Sequence, residues 1–146
     1  MIFSSKYKFI FIEVPKTGTS SIVATLQQVD DSLRRNLIEL ENGKVINVST
    51  HASAKEVREI LGEESRNYTF VGFLRDPKDV LVSKYYFYKL GRIKKQVQEG
   101  SASVGLRIRH YMTHLCPLPL WVLLYPYTSS AKYVVDDSGK ILLDII

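Results

Sequence analysis

Apolar and polar positions change period several times along the chain, and each change marks an element. Residues 6–14, KYKFIFIEV, form a mostly apolar run that stops at Pro15, the pattern of a central, buried strand. From Thr19 the spacing becomes helical, with Ile22, Val23, Leu26 and Val29 on one face. Residues 42–50, NGKVINVST, read as a turn followed by a short strand. HASAKEVREILGEE, residues 51–64, predicts a well-marked helix: Ser53 and Glu56 have capping-box spacing, Val57, Ile60 and Leu61 give the apolar stripe, and Gly62 can end it. YTFVGFLR, residues 68–75, is a second mostly apolar strand, and DPKDVLVSKYYFYKL starts a helix with Asp76 as N-cap, Pro77 at the first helical position and Asp79 in the first turn. Residues 91–115 are basic and predict helix in part. AKYVVDDSGKILLDII, residues 131–146, reads as two short strands about the turn Asp137-Ser138-Gly139.

Strands alternating with helices predict an α/β fold with a largely parallel sheet. Ligands of such sheets bind beyond the carboxyl ends of the strands. Both strand-to-helix junctions, residues 15–21 and 75–79, fall on that edge in this reading. The length of 146 residues fits one domain, and no repeat, low-complexity tract or clear linker divides it.

Charge narrows the partner. A net charge of +5 favours an anion and leaves nucleic acid, anionic glycan and nucleotide phosphate open. The single cysteine, Cys116, excludes an intrachain disulfide, fits a reducing compartment, and reads as a small buried or half-buried residue. FIFIEV is too short for a signal-peptide core and is interrupted by Glu13. The most apolar later run, PLPLWVLLYPY, carries three prolines and is too short to span a bilayer.

The chemistry concentrates at the two junctions. A helix starting near Thr19 presents backbone N–H groups and a positive dipole end. Gly18 allows close approach, Thr17, Thr19, Ser20 and Ser21 add hydroxyls, and Lys16 adds a full charge, which together make a cradle for a phosphate-like group. A plain strand–turn–helix connection with a hydroxyl cap is the competing reading. The Walker pattern G-x-x-x-x-G-K-[ST] is absent, because the lysine precedes the glycine. At the second junction Arg75 ends a strand and Ser83 follows about two helical turns on. Arginine is a natural bidentate partner for phosphate. The alternative is that Arg75 pairs with Asp76 or Asp79 and Ser83 only packs.

Taken together, VPKTGTSSI and FLRDPKDVLVSKYYF closely resemble the paired motifs of the cytosolic and Golgi sulfotransferase superfamily, nearest its carbohydrate branch, and THASAKEVREILG and YVVDDSGKILLDII are similar to connecting segments of bacterial-type members. The resemblance runs through most of the chain. It implies a P-loop-NTPase-like central parallel sheet flanked by helices. It also implies a donor, 3′-phosphoadenosine 5′-phosphosulfate (PAPS), whose sulfuryl group passes to a hydroxyl of a carbohydrate or similar acceptor. On that resemblance Pro15, Lys16, Thr17, Gly18, Thr19, Ser20 and Ser21 wrap the phosphosulfate, Arg75 and Ser83 hold the 3′-phosphate, and Lys16 also stabilises charge on the leaving oxygen.

A hydroxyl acceptor needs a base, and imidazole suits that work near neutral pH. His51 stands after a short strand and before a capped helix, at the same sheet edge if that strand is parallel, and the resemblance to uronyl-type members gives it this role. The bland alternative is a residue that only flanks the Ser53 cap. Glu13 is the second candidate base, or an orienter of Lys16. The basic stretch YKLGRIKKQ and then RIRH, with the aromatics of residues 85–88, could meet an anionic acceptor or form a solvated face; two of those four aromatics are expected in a core. His110 and His114, at i, i+4 spacing, read as surface residues rather than ligands, and no metal cluster is evident. Family members are usually longer, so a truncated or compact form lacking the C-terminal part is expected, cytoplasmic if bacterial-type and Golgi-lumenal if a fragment of an anchored enzyme, with membrane association open and no nucleic acid as partner. The other functional classes are a non-catalytic module that keeps the nucleotide cradle and a P-loop nucleotide kinase.

Overall fold

The computed structural model describes residues 1–30, 32–40, 42–90, 96–124 and 130–144. The chain divides into two compact units, Met1–Leu74 with Ser130–Ile146, and Arg75–Ser129.

The first unit is built on a hairpin. Strand β1 (Ile2–Ser4) pairs antiparallel with β2 (Phe9–Ile12), and the intervening turn is held by the Ser4 hydroxyl accepting from the Tyr7 amide at 3.1 Å. Helix α1 (Thr19–Val29) follows β2. A two-residue strand β3 (Arg34–Arg35) pairs antiparallel with β1, and β6 (Thr69–Gly72) pairs parallel with β2, giving the order β3-β1-β2-β6. Strands β4 (Leu37–Glu39) and β5 (Val45–Asn47) form a separate antiparallel ribbon. Helix α2 (Ala54–Leu61) and a 3-10 segment (Gly62–Asn67) lead into β6.

Alternation along β2 explains its unbroken apolar run. Ile10 and Ile12 enter a core with Ala54, Val57, Leu61 and Phe70, whereas Phe11 enters a second core with Ile2, Val23 and Leu33. Both faces of the strand are therefore covered, one by α2 and the other by α1. The edge of β6 is also covered, since Phe70 N–H donates to the Asp144 carboxylate at 2.6 Å and Phe70 C=O accepts from Asp144 N–H at 2.9 Å.

The α/β expectation is met, but the sheet is mixed rather than largely parallel. Among the described residues only β2 and β6 run parallel in it, because an N-terminal hairpin and the Arg34–Arg35 strand occupy the other side. The strand in NGKVINVST belongs to the ribbon and not to this sheet. On α1, Val23 is buried and Ile22 and Leu26 are half-buried, whereas Val29 is exposed at the helix end. The predicted capping box of α2 forms in full, and Gly62 ends the helix at φ 56°. In the C-terminal stretch the turn is present, tied by Asp136 accepting from Ser138 and Lys140. Among the described residues the two strands shrink to a single bridge, Val135 with Ile141, after a 3-10 turn at Ser130–Tyr133. Residues 145–146 lie outside the described residues.

The second unit carries α3 (Pro77–Leu90), α4 (Val104–Leu115) and α5 (Leu118–Leu124). Asp76 caps α3 as expected, accepting from Lys78 N–H at 2.7 Å. Tyr85, Cys116 and Trp121 form its core, the Tyr85 hydroxyl donating to the Cys116 carbonyl and Trp121 Nε1–H donating to the Thr113 hydroxyl, each at 3.1 Å. Of the four successive aromatics, Tyr85 is buried and Tyr88 half-buried, while Tyr86 and Phe87 are exposed. His110, expected at the surface, is instead buried, with Nδ1 2.7 Å from the Tyr88 carbonyl; His114 is exposed. Residues 91–95 of the basic stretch and 125–127 of the apolar run lie outside the described residues. No described helix is long and apolar enough to cross a membrane.

Phe70 is fully buried and stacks under the Arg58 guanidinium at 4.4 Å. Phe70→Ala is expected to lower the unfolding free energy by about 3–5 kcal/mol, the range for emptying an aromatic core site, measured by urea denaturation.

Candidate functional site

The β2-to-α1 connection has an unusual backbone. Lys16 (φ 68°) and Gly18 (φ 82°) both lie in the left-handed region, which costs a side-chain-bearing residue about 1–2 kcal/mol. A residue such as Lys16 keeps that conformation only where its surroundings impose it, and such outliers gather at ligand clamps. Two interactions impose it here. The Val14 carbonyl accepts from the Thr17 hydroxyl at 2.8 Å, and the Gly18 carbonyl accepts from Ser21 N–H at 3.1 Å. Thr17 thus spends its proton on shaping the loop. Pro15, Lys16 and Thr17 are half-buried, Gly18, Ser20 and Ser21 are exposed, and Thr19 is buried.

Helix α1 begins at Thr19, as the spacing predicts, and it has no acidic residue in its first turn. In contrast, α2 carries Glu56 and α3 carries Asp79 in that position. The positive end of α1 is therefore not neutralised by a carboxylate of its own first turn. No heavy atom lies within 4 Å of where a Cβ on Gly18 would stand, so the space beside Gly18 is open. Open approach, a left-handed glycine, a lysine and first-turn hydroxyls are the donor set that suits a phosphate or sulfate oxygen cluster.

His51 reaches this loop by a route the sequence did not show. Its preceding strand is in the ribbon, so the expected parallel placement is not the reason. Instead its Nδ1 lies 2.8 Å from the carbonyl of Glu13, at the root of the loop. A carbonyl can only accept, so Nδ1 carries the proton and Nε2 of the neutral ring keeps the lone pair. His51 also lines a groove of about 490 Å³ of mixed charge, with Lys55 and Lys132 as well as Glu56 and Glu59 among its lining beside Ser49, Ser53 and Tyr133.

Glu13 itself is neither an exposed base nor a loop residue. Its side chain is buried; Oε1 accepts from the Met1 nitrogen at 2.6 Å and from Arg35 Nε at 3.1 Å, and Oε2 accepts from Arg35 Nη2 at 2.9 Å. Burial pushes this carboxyl up, but the hydrogen bonds from Arg35 and the Met1 nitrogen outweigh it and leave its pKa below the usual carboxylate range. Arg35 was missed in the sequence because nothing local in LRRNLIEL ties it to a residue far earlier in the chain.

Arg75 and Ser83 belong to the second unit. Arg75 is exposed and its Nε donates to Asp79 at 3.3 Å, the alternative pairing that the sequence allowed. Such an exposed pair contributes about 0–1 kcal/mol. Ser83 is half-buried in the second turn of α3. The structure thus gathers residues 15–21 and His51 around one strand end of the first unit. In that unit Gly72 pairs with Ile12, so the chain leaves β6 at the edge from which it leaves β2. No group of three or more possible metal-ligating side chains occurs among the described residues.

A strand-to-helix junction with left-handed backbone at the carboxyl end of a mixed sheet makes this an α/β protein with a candidate anion site. More narrowly, the chain belongs to the sulfotransferase family, whose sequence profile matches residues 1–137. No curated protein and no solved structure matches it.

The depressed Glu13 pKa fixes a pH dependence. The carboxylate contributes stability that is present above its unfolded value of about 4.3 and is lost as pH falls through the lower folded value. Glu56, whose carboxylate accepts from the Ser53 N–H and hydroxyl, and Asp136, bonded by Ser138 and Lys140, are lowered too and act in the same acid window. Arg35→Leu removes the largest opposing bond to burial, so Glu13 takes up its proton at higher pH. The acid-unfolding midpoint, followed by circular dichroism, is expected to move upward relative to the parent protein.

Proposed function

We propose that the protein transfers a sulfuryl group from PAPS to a hydroxyl of a carbohydrate or similar acceptor. The observation that carries this reading is the hydrogen bond from His51 to the backbone root of the Lys16–Gly18 loop. This contact, next to a left-handed loop in a chain of the sulfotransferase family, supports reading His51 as the base and the loop as the anion cradle.

The residues fit such a donor. The loop has left-handed backbone at Lys16 and Gly18, open space beside Gly18 and exposed hydroxyls at Ser20 and Ser21, and α1 adds its positive end. PAPS, when bound, supplies the sulfuryl group and the bond that is broken. Lys16, with Pro15, Thr17, Gly18, Thr19, Ser20 and Ser21, holds the phosphosulfate, and Lys16 stabilises the charge that develops on the leaving oxygen. Arg75 and Ser83 are assigned the 3′-phosphate. His51 accepts the acceptor's hydroxyl proton on Nε2, and the groove that it lines is large enough for a sugar-sized molecule.

Calorimetric titration with 3′-phosphoadenosine 5′-phosphate is expected to show binding, with ATP much weaker; equal or absent binding of the two would remove the donor assignment. Arg75→Ala is expected to weaken the bisphosphate about tenfold or more and to leave adenosine 5′-phosphate affected little, as loss of a charge-assisted contact predicts. In a sulfate-transfer assay from labelled PAPS to a glycan panel, His51→Ala is expected to lower turnover about 10²–10⁴-fold with nucleotide affinity retained. Nucleotide binding without transfer to any acceptor would favour the non-catalytic module.

A further inference from the structure

Helix α4 is inside out for a soluble helix. Its buried residues are His110 and Thr113, both polar. The opposite face carries Val104, Ile108, Tyr111, Met112 and Leu115, which recur at i, i+4, i+7, i+8 and i+11 and are all at least half exposed, Leu115 at 84%. The packed side is consistent with that: Thr113 and His110 take their partners from Trp121, Arg109 and Tyr88 within the same unit. At 100° per residue, Arg107 and Arg109 flank the apolar stripe on its two sides. The contacts of Arg107 are to the carbonyls of Ala102 and Gly100, which leave its charge intact. Helix α5 continues the theme with Leu123 at 82% and Leu124 at 60% exposed.

Charge complementarity says what covers this face. Residues 75–129 hold nine lysines and arginines against three acidic residues, so this unit carries more positive charge than the whole chain's +5, while the remainder is slightly acidic. An apolar stripe bordered by arginine, in a strongly cationic unit, is the pattern of a helix that lies in a lipid interface with its apolar side in the acyl boundary and its cations at anionic headgroups. A protein partner would have to match both an apolar stripe and a cationic surround, whereas an anionic bilayer supplies both at once. We infer that the α4 face docks peripherally on an anionic membrane surface.

Co-sedimentation of the full chain with vesicles tests this. Phosphatidylcholine mixed with phosphatidylserine is expected to retain at least about fivefold more protein than phosphatidylcholine alone, the increment of one basic side chain near an anionic surface, and added salt is expected to reduce the retention. Ile108→Asp and Leu115→Asp, both at exposed positions, are expected to abolish it with an unchanged circular dichroism spectrum. Absent pelleting, equal pelleting on both vesicles, or retention unaffected by both variants would overturn the inference. So would light scattering that shows a dimer which either variant dissociates, since a second copy would then own the face.

Discussion

A buried carboxylate is the constraint on which the site rests. Taking a carboxylate out of water costs several kcal/mol unless cations and donors meet it. Glu13 stands at the carboxyl end of the central strand with Arg35 and the Met1 nitrogen on its oxygens. Arg35 reaches it because β3 registers Arg35 on Ile2, and β1 registers Ile2 on Phe11, two residues before Glu13. The two-residue strand β3 is thus more than a sheet edge, because it carries the cation that lets a charged side chain be buried there. With the side chain fixed, the main chain of Glu13 is fixed too, and its carbonyl becomes the anchor for His51.

The loop that follows inherits this rigidity. It can hold Lys16 in a left-handed conformation because the strand before it and the helix after it are both packed, β2 on two faces and α1 through Val23, Ile22 and Leu26. The hydroxyl residues divide the labour. Thr17 bonds inward to Val14, Thr19 is buried, and Ser20 and Ser21 remain on the exposed side of the first turn. A lysine, a glycine and four hydroxyls at one junction therefore do two things, which are to hold a strained turn and to line its open side.

What could be read from the sequence was local. The capping box of α2, the Asp76 cap of α3, the start of α1 and the Asp137-Ser138-Gly139 turn each depend on residues within four positions of one another, and each formed. What could not be read was pairing at a distance. Ile2–Ser4 is too short an apolar run to declare a hairpin partner, and Arg34–Arg35 has no strand signature at all. The register that sends NGKVINVST to a ribbon instead of the sheet is set by Leu37–Glu39, which no periodicity marks. The same limit applied to the site. The loop motif was legible residue by residue, but the Glu13–Arg35 pair and the His51–Glu13 bond join positions 22 and 38 apart, and only tertiary packing brings them together.

The division of Glu13 between carboxylate and carbonyl also bears on the chemistry. A catalytic imidazole is often oriented by a carboxylate, which fixes the tautomer and adds a full negative charge that stabilises the imidazolium. Beside the multiply charged donor proposed for this loop, that extra charge would oppose binding at distances within the Debye length of about 8–10 Å. Here the charge of Glu13 is turned into Arg35 and the Met1 nitrogen, and only its neutral carbonyl meets His51. The tautomer is fixed without placing an unpaired negative charge three residues from Lys16. On the proposed function, a substitution that kept the His51 contact but freed the Glu13 carboxylate would therefore act first on donor binding and only secondarily on proton transfer.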